Sequence, residues 1–129
     1  MALILELATR NAMADAIDDQ VNLGTAPILR FETSGDAQLA TLNLNATAAF
    51  SAATVGVITL ADVPLSDTNA TAGTCAQFSI YASSNGTSKV LEGSVDTAGG
   101  SGDITLSSLV IGSGDTVTLS AFTITVPAS

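Results

Sequence analysis

Apolar positions along the first third of the chain change period once, at Pro27. Before it, Met13, Ile17 and Val21 recur at four-residue steps with Ala16 beside them, which predicts a helix over about 9–22. Thr9 is placed to cap its start, and Gly24 followed by Pro27 supplies the stop. Asp15, Asp18, Asp19 and Asn22 recur at steps of three and four on the other side, the pattern of a helix face turned to water.

After Pro27 the period is two. Leu29 and Phe31 alternate with Arg30 and Glu32, and Ser34-Gly35-Asp36 turns the chain. Further strands are predicted over 39–44, 54–60 and 74–83, with a loop from Asp62 to Gly73. In the last of these strands Phe78 and Ile80 point one way and Cys75, Gln77, Ser79 and Tyr81 the other. Asn85-Gly86 then predicts a type I′ hairpin into Lys89–Glu92. A glycine-rich tip, 96–103, leads to strands over 104–111 and 116–126. The apolar phase slips near Ser120-Ala121, which marks a bulge or a switch between sheets. The pattern predicts a mainly β protein: a β-sandwich or jelly roll of about seven to eight antiparallel strands with one N-terminal helix. Residues 1–8 are expected to form an arm, and 9–129 a single β domain with its leading helix.

Composition makes that core thin. Ala, Thr, Ser and Gly supply 63 of 129 residues, and aromatic bulk is limited to four Phe and one Tyr. Three cations face twelve carboxylates for a net charge of -9, and no Lys/Arg cluster exists. Nucleic acid and anionic membrane surfaces are therefore not expected partners. With no His and one Cys, the commonest general base and any cysteine-based zinc site are missing. The chain shows no secretory leader and no apolar run of roughly 20 residues. It reads as soluble, cytosolic at synthesis, and not an enzyme. No catalytic, cofactor or metal residue is assigned.

Four apparent signals were weighed against blander accounts. Asp96-Thr97-Ala98-Gly99 resembles an aspartic-protease signature, but Ala stands at the third position and the segment lies in a mobile tip. Asp62, Asp67 and Asn69 could offer oxygens to Ca²⁺, though their spacing fits no loop motif. Three Asn-x-Thr triplets begin at Asn45, Asn69 and Asn85, read as turn chemistry and not as glycosylation acceptors. Cys75 reads as a small core residue. The stretch Ala2-Leu3-Ile4-Leu5 stands apart: it either packs under its own domain or docks on a neighbour, adding a strand to its sheet edge. Leu3, Ile4 and Leu5 are the candidate partner-binding residues.

Two regions carry a resemblance. Ala8-Thr9-Arg10-Asn11-Ala12-Met13-Ala14-Asp15-Ala16-Ile17 resembles the opening of a group of small tailed-bacteriophage virion proteins. Ser84-Asn85-Gly86-Thr87, Leu91-Glu92-Gly93-Ser94-Val95, Leu106-Ser107-Ser108, the run Ile111 to Ser120 and Phe122-Thr123-Ile124-Thr125-Val126 resemble its end. The similarity touches about the first 30 and last 55 residues. It implies a head decoration (cement) protein on the capsid surface of a virion. The implied partners are the major capsid protein and the chain itself, as a homotrimer. The other readings are a tail, baseplate or head-fibre component and a carbohydrate-binding β module.

Overall fold

The computed structural model describes residues 2–128; Met1 of the expected arm and Ser129 of the expected β domain lie outside it. Helix α1 spans Leu7–Val21, so it begins two residues before Thr9, and Glu6 stands at its N-cap without a side-chain cap bond. The strands are β1 (Ile28–Glu32), β2 (Gln38–Asn43), β3 (Val57–Thr59), β4 (Leu65–Asp67), β5 (Gly73–Thr74) and β6 (Gln77–Tyr81). They continue with β7 (Lys89–Thr97), β8 (Ile104–Leu106), β9 (Val110–Ile111), β10 (Val117–Leu119) and β11 (Thr123–Thr125).

The expected sandwich or jelly roll is not formed. The chain folds as a small α/β protein with one helix and four separate sheets among the described residues. The largest is an open five-stranded sheet in the order β2-β1-β6-β7-β8, and the pairs β10-β4, β11-β3 and β5-β9 complete the set. Nor are all strands antiparallel: β8 runs parallel to β7, with Val95 opposite Ile104. The Gly99–Gly102 tip lets the chain double back before β8: a Cβ on Gly102 would stand 2.7 Å from the Asp96 backbone nitrogen.

Short strands are the physical reason that no second wide sheet exists. The expected strand over 104–111 breaks at Ser107-Ser108, where Ser108 Oγ accepts the Val110 N–H at 3.2 Å. The one over 54–60 folds back on itself at Val55-Gly56, whose φ values are 52° and 73°. Thr54 and Val57 exchange backbone bonds of 2.9 Å across it. The type I′ geometry expected at Asn85-Gly86 thus occurs here, at Val55-Gly56. At the expected site only Gly86 has positive φ, and residues 82–88 form a longer loop. The phase slip near Ser120-Ala121 is where the chain leaves β4 and joins β3.

The helix is rotated from its expected orientation: Ile17 and Val21 face the core as expected, but the polar stripe turns inward as well and Met13 turns out. Ala14 and Val21 are buried and Ile17 partly so, but Met13 is 46% exposed. The polar stripe Asn11, Asp15, Asp18 and Asn22 faces inward and captures backbone amides of the irregular segment 49–56. Gly56 donates its N–H to Asn11 Oδ1 at 2.7 Å, Ala53 to Asp15 Oδ1 at 2.7 Å, Phe50 to Asp18 Oδ1 at 2.9 Å and Ala49 to Asn22 Oδ1 at 3.0 Å. Asn22 Nδ2 donates in turn to the Asn45 carbonyl at 3.0 Å. This stretch has little strand pairing of its own, and a buried N–H without an acceptor is costly. The carboxylates expected in water, Asp19 excepted, are therefore structural acceptors.

The apolar core lies between the inner face of the large sheet (Leu29, Phe31, Phe78, Ile80) and the segment holding Phe50, Ile58 and Leu60. Phe122 meets both sides edge-on, 5.3 Å from Phe78 and 6.2 Å from Phe50.

Burial raises the Asp18 carboxyl above its ordinary value, the Phe50 N–H opposes this, and Asp19 and Asp15 add to the rise. A raised pKa in the fold favours the protonated form, so its stabilising contribution is present at acid pH and lost as pH rises through the raised value. Asp18→Asn keeps the acceptor and removes the charge. It is expected to match or exceed the wild-type melting temperature at neutral pH, with the gain disappearing in acid. Asp18→Ala strands the Phe50 amide and is expected to cost about 1–3 kcal/mol in urea denaturation. Val55 is β-branched, 57% exposed and at positive φ, so Val55→Asn is expected to stabilise by about 1 kcal/mol by the same assay.

Candidate functional site

The arm precedes a helix whose inner face carries both hydrogen bonds and core contacts, and among the described residues one backbone bond holds the arm. Leu5 donates its N–H to the Ala128 carbonyl at 2.6 Å. Leu5 is half-buried, whereas Leu3 is 79% and Ile4 63% exposed. Leu7 and Met13 continue the apolar surface onto the helix at 47% and 46% exposure. Ala8, Ala12 and Ala16 are exposed on the side of α1 away from the segment 49–56. Of the two outcomes expected for the arm, packing under its own domain is not what Leu3 and Ile4 do.

A second constellation covers the outer face of the large sheet. Strand alternation turns Arg30 and Glu32 of β1 outward beside Gln77, Ser79 and Tyr81 of β6, paired in register. Glu32 is fully buried. Its Oε1 accepts from Ser79 Oγ at 2.7 Å and Gln77 Nε2 at 3.2 Å; its Oε2 accepts from Tyr81 Oη at 2.9 Å and from Arg30 Nε at 3.0 Å, with Arg30 Nη2 2.7 Å away in the ion pair. The Arg30 guanidinium also lies 4.9 Å from the Tyr81 ring centre and Lys89 Nζ 5.8 Å from it, so the ring carries two cations. Lys89 pairs with Glu92 at 2.9 Å, and that bond raises its pKa.

Burial by itself would raise the Glu32 carboxyl; the bonds from Ser79, Gln77, Tyr81 and Arg30 overcome it and hold the group below its ordinary value. Every lone pair is engaged, so Glu32 is neither a free base nor an open ligand. It ties two strands together. Sequence alternation alone put these five residues on one side of two strands; that the strands are neighbours was not readable.

The other candidate residues are dispersed. Asp96 Oδ1 accepts the Thr97 N–H at 2.8 Å, within its own loop. Asp62 takes Asn45 Nδ2 at 2.9 Å, while Asp67 takes the N–H groups of Thr41 and Asn69, both at 2.9 Å, so the two carboxylates serve different partners. No group of three His, Cys, Asp or Glu side chains among the described residues is arranged to hold a metal ion. Cys75 is buried, and burial pushes its thiol up, away from the reactive thiolate. Asn45 and Asn85 of the Asn-x-Thr triplets close turns: each Oδ1 accepts both the N–H and the hydroxyl of the Thr two residues on. Among the described residues no helix is long and apolar enough to cross a membrane. Searches of protein-family models, curated proteins and solved structures find no match to the chain.

The lowered pKa of Glu32 gives a pH dependence opposite in sign to that of Asp18. Its contribution is present above the ordinary carboxylate range and is lost as pH falls through the lowered value. Glu32→Gln is expected to cost about 2–3 kcal/mol at neutral pH, near the low end for a broken buried pair because Arg30 keeps some access to water. The cost should shrink as pH falls into the acid range. Denaturation curves across pH check this, and a pH-independent difference would contradict it.

Proposed function

We propose that the chain is a virion structural protein that decorates and stabilises a phage capsid, binding in many copies across the seams between major capsid subunits. The observation that carries this reading is the exposure of Leu3 and Ile4 on an arm whose one backbone bond among the described residues is at Leu5. Moving such side chains out of water contributes roughly 1.5–3 kcal/mol each. That is weak for one copy and sufficient for a clamp with several attachment points, because all must release together. A homotrimer suits the threefold positions of an icosahedral shell and multiplies the arms. The net charge of -9 limits adhesion between finished particles and to packaged nucleic acid. The phage-protein resemblance of the two ends of the sequence supports the same reading.

A tail, baseplate or head-fibre role differs in copy number: hundreds of copies per purified particle support decoration, and a few tens or fewer contradict it. The carbohydrate-binding reading loses its best platform, since Tyr81 is 5% exposed and its hydroxyl is bound to Glu32.

The double variant Leu3→Ser/Ile4→Ser is expected to melt within a few degrees of wild type yet bind heads of the encoding phage at least tenfold more weakly. Pelleting with purified, undecorated heads measures this. Binding equal to wild type would contradict the role of the arm.

A further inference from the structure

A cleft separates the outer edge of the large sheet from the C-terminal run. It comprises two adjoining cavities of about 290 and 440 Å³ that share Asp103, Phe122 and Thr123. Consecutive residues line both walls, Leu91–Gly93 on one and Phe122–Thr125 on the other, so strand edges and not strand faces border it.

The phase of the flanking ladders shows which peptide groups point into it. Val95 donates its N–H to the Ala76 carbonyl at 3.2 Å, which makes Gly93 and Leu91 the residues bonded to β6. The peptide groups of Glu92 therefore turn away from β6. Consistent with this, the N–H of Ser94 turns the same way and bonds Asp103 Oδ2 at 2.9 Å. On the other wall, Leu60 donates to the Phe122 carbonyl at 2.9 Å and Val126 to that of Gly56 at 2.8 Å, so Ile124 is the residue bonded to β3. Thr123 and Thr125 direct their N–H and C=O groups away from β3. None of these groups on Glu92, Thr123 or Thr125 has a backbone partner among the described residues. The floor between the two edges is aromatic, with Phe78 and Phe122 in contact.

We infer that this cleft is a strand acceptor, filled by residues 2–5 of a second copy of the chain. Two facing edges with unmade hydrogen bonds call for an extended segment, which can bond both at once as an added strand does. The occupant must also carry no negative charge, because Glu92 and Asp103 stand at the rim of a molecule already at -9. Ala2-Leu3-Ile4-Leu5 meets both requirements: it belongs to no helix or strand, so it can take up an extended form, it is free of charge, and it exposes two large apolar side chains. An inserted four-residue arm and the walls it covers bury on the order of 1,000 Å², about the lower limit for a specific interface. In a closed ring each copy gives one arm and receives another, which doubles the contact. The inference rests on the self-association contained in the reading above and assigns the arm to a neighbouring copy instead of the shell, so that Leu3→Ser/Ile4→Ser would weaken head binding by breaking up the multivalent oligomer.

The test uses full-length chains carrying Cys75→Ala, so that only introduced thiols react. Ile4→Cys protein is mixed with Thr123→Cys protein and treated with a short bismaleimide. The expected product is a covalent mixed pair, at least tenfold more abundant than with Ser113→Cys in place of Thr123→Cys. Separately, Thr125→Pro removes an N–H that faces the cleft and leaves the bonds of Ile124 to β3 in place. Its self-association, read by sedimentation, is expected to weaken at least tenfold with the melting transition retained. Should that variant not fold, Leu3→Ser/Ile4→Ser tests the same contact from the arm side. Equal cross-linking at positions 123 and 113, or a wild type that stays monomeric both at high micromolar concentration and on heads, overturns the inference. Chain present in heads without arm-to-cleft cross-links refutes this contact and spares the capsid reading. Arm-to-cleft cross-links with no chain in heads do the reverse.

Discussion

Four side-chain oxygens on one helix hold the middle of this protein in place. Asn11, Asp15, Asp18 and Asn22 each accept a backbone N–H from the segment 49–56, with donor-to-acceptor distances between 2.7 and 3.0 Å. The segment contains Phe50, a large buried side chain, but has almost no strand pairing with which to satisfy its own amides. Hydrogen bonds to charged acceptors are stronger than neutral ones and forgive less when one is removed. In a chain where small residues make up nearly half the positions, such bonds substitute for the apolar contact that a helix ordinarily uses to dock.

The same substitution recurs on the large sheet, where Glu32 gathers Ser79, Gln77, Tyr81 and Arg30 beneath the surface. It has a cost. Burial, with Asp19 and Asp15 adding to it, raises the Asp18 carboxyl despite its bond from Phe50, while Glu32 is lowered by its donors, so their contributions run in opposite directions with pH. It also has a consequence for function. Because hydrogen bonds occupy the helix's inner face, Leu3, Ile4, Leu7 and Met13 are left at the surface for another molecule.

Much of the local structure was legible. The helix, β1, β2, β6 and the Leu29/Phe31 and Phe78/Ile80 core faces follow from periodicity, and the slip at Ser120-Ala121 coincides with the change of partner strand. The architecture was not. Its sheets depend on which short strands meet, and nothing in Thr105 or Val110 announces that β8 lies parallel to β7 or that Ser108 breaks the run. The helix orientation misled for a specific reason: Asp and Asn at three- and four-residue steps look the same whether their partners are waters or amides. Asn11 joining Asp15, Asp18 and Asn22 in one stripe was the available signal, since Asn is a poor helix former and its amide suits capturing a backbone group more than facing water. The arm was visible as an anomaly, although not the cleft that fits it, because Glu92 and Thr125 are far apart in sequence.

Amide hydrogen exchange followed residue by residue bears most directly on the ladder of side-chain acceptors. The N–H groups of Ala49, Phe50, Ala53 and Gly56 should exchange far more slowly than neighbouring loop amides, and the protection of Phe50 should collapse in Asp18→Ala while surviving in Asp18→Asn. Exchange at these four positions as fast as in an open loop, or protection indifferent to both substitutions, would contradict the account.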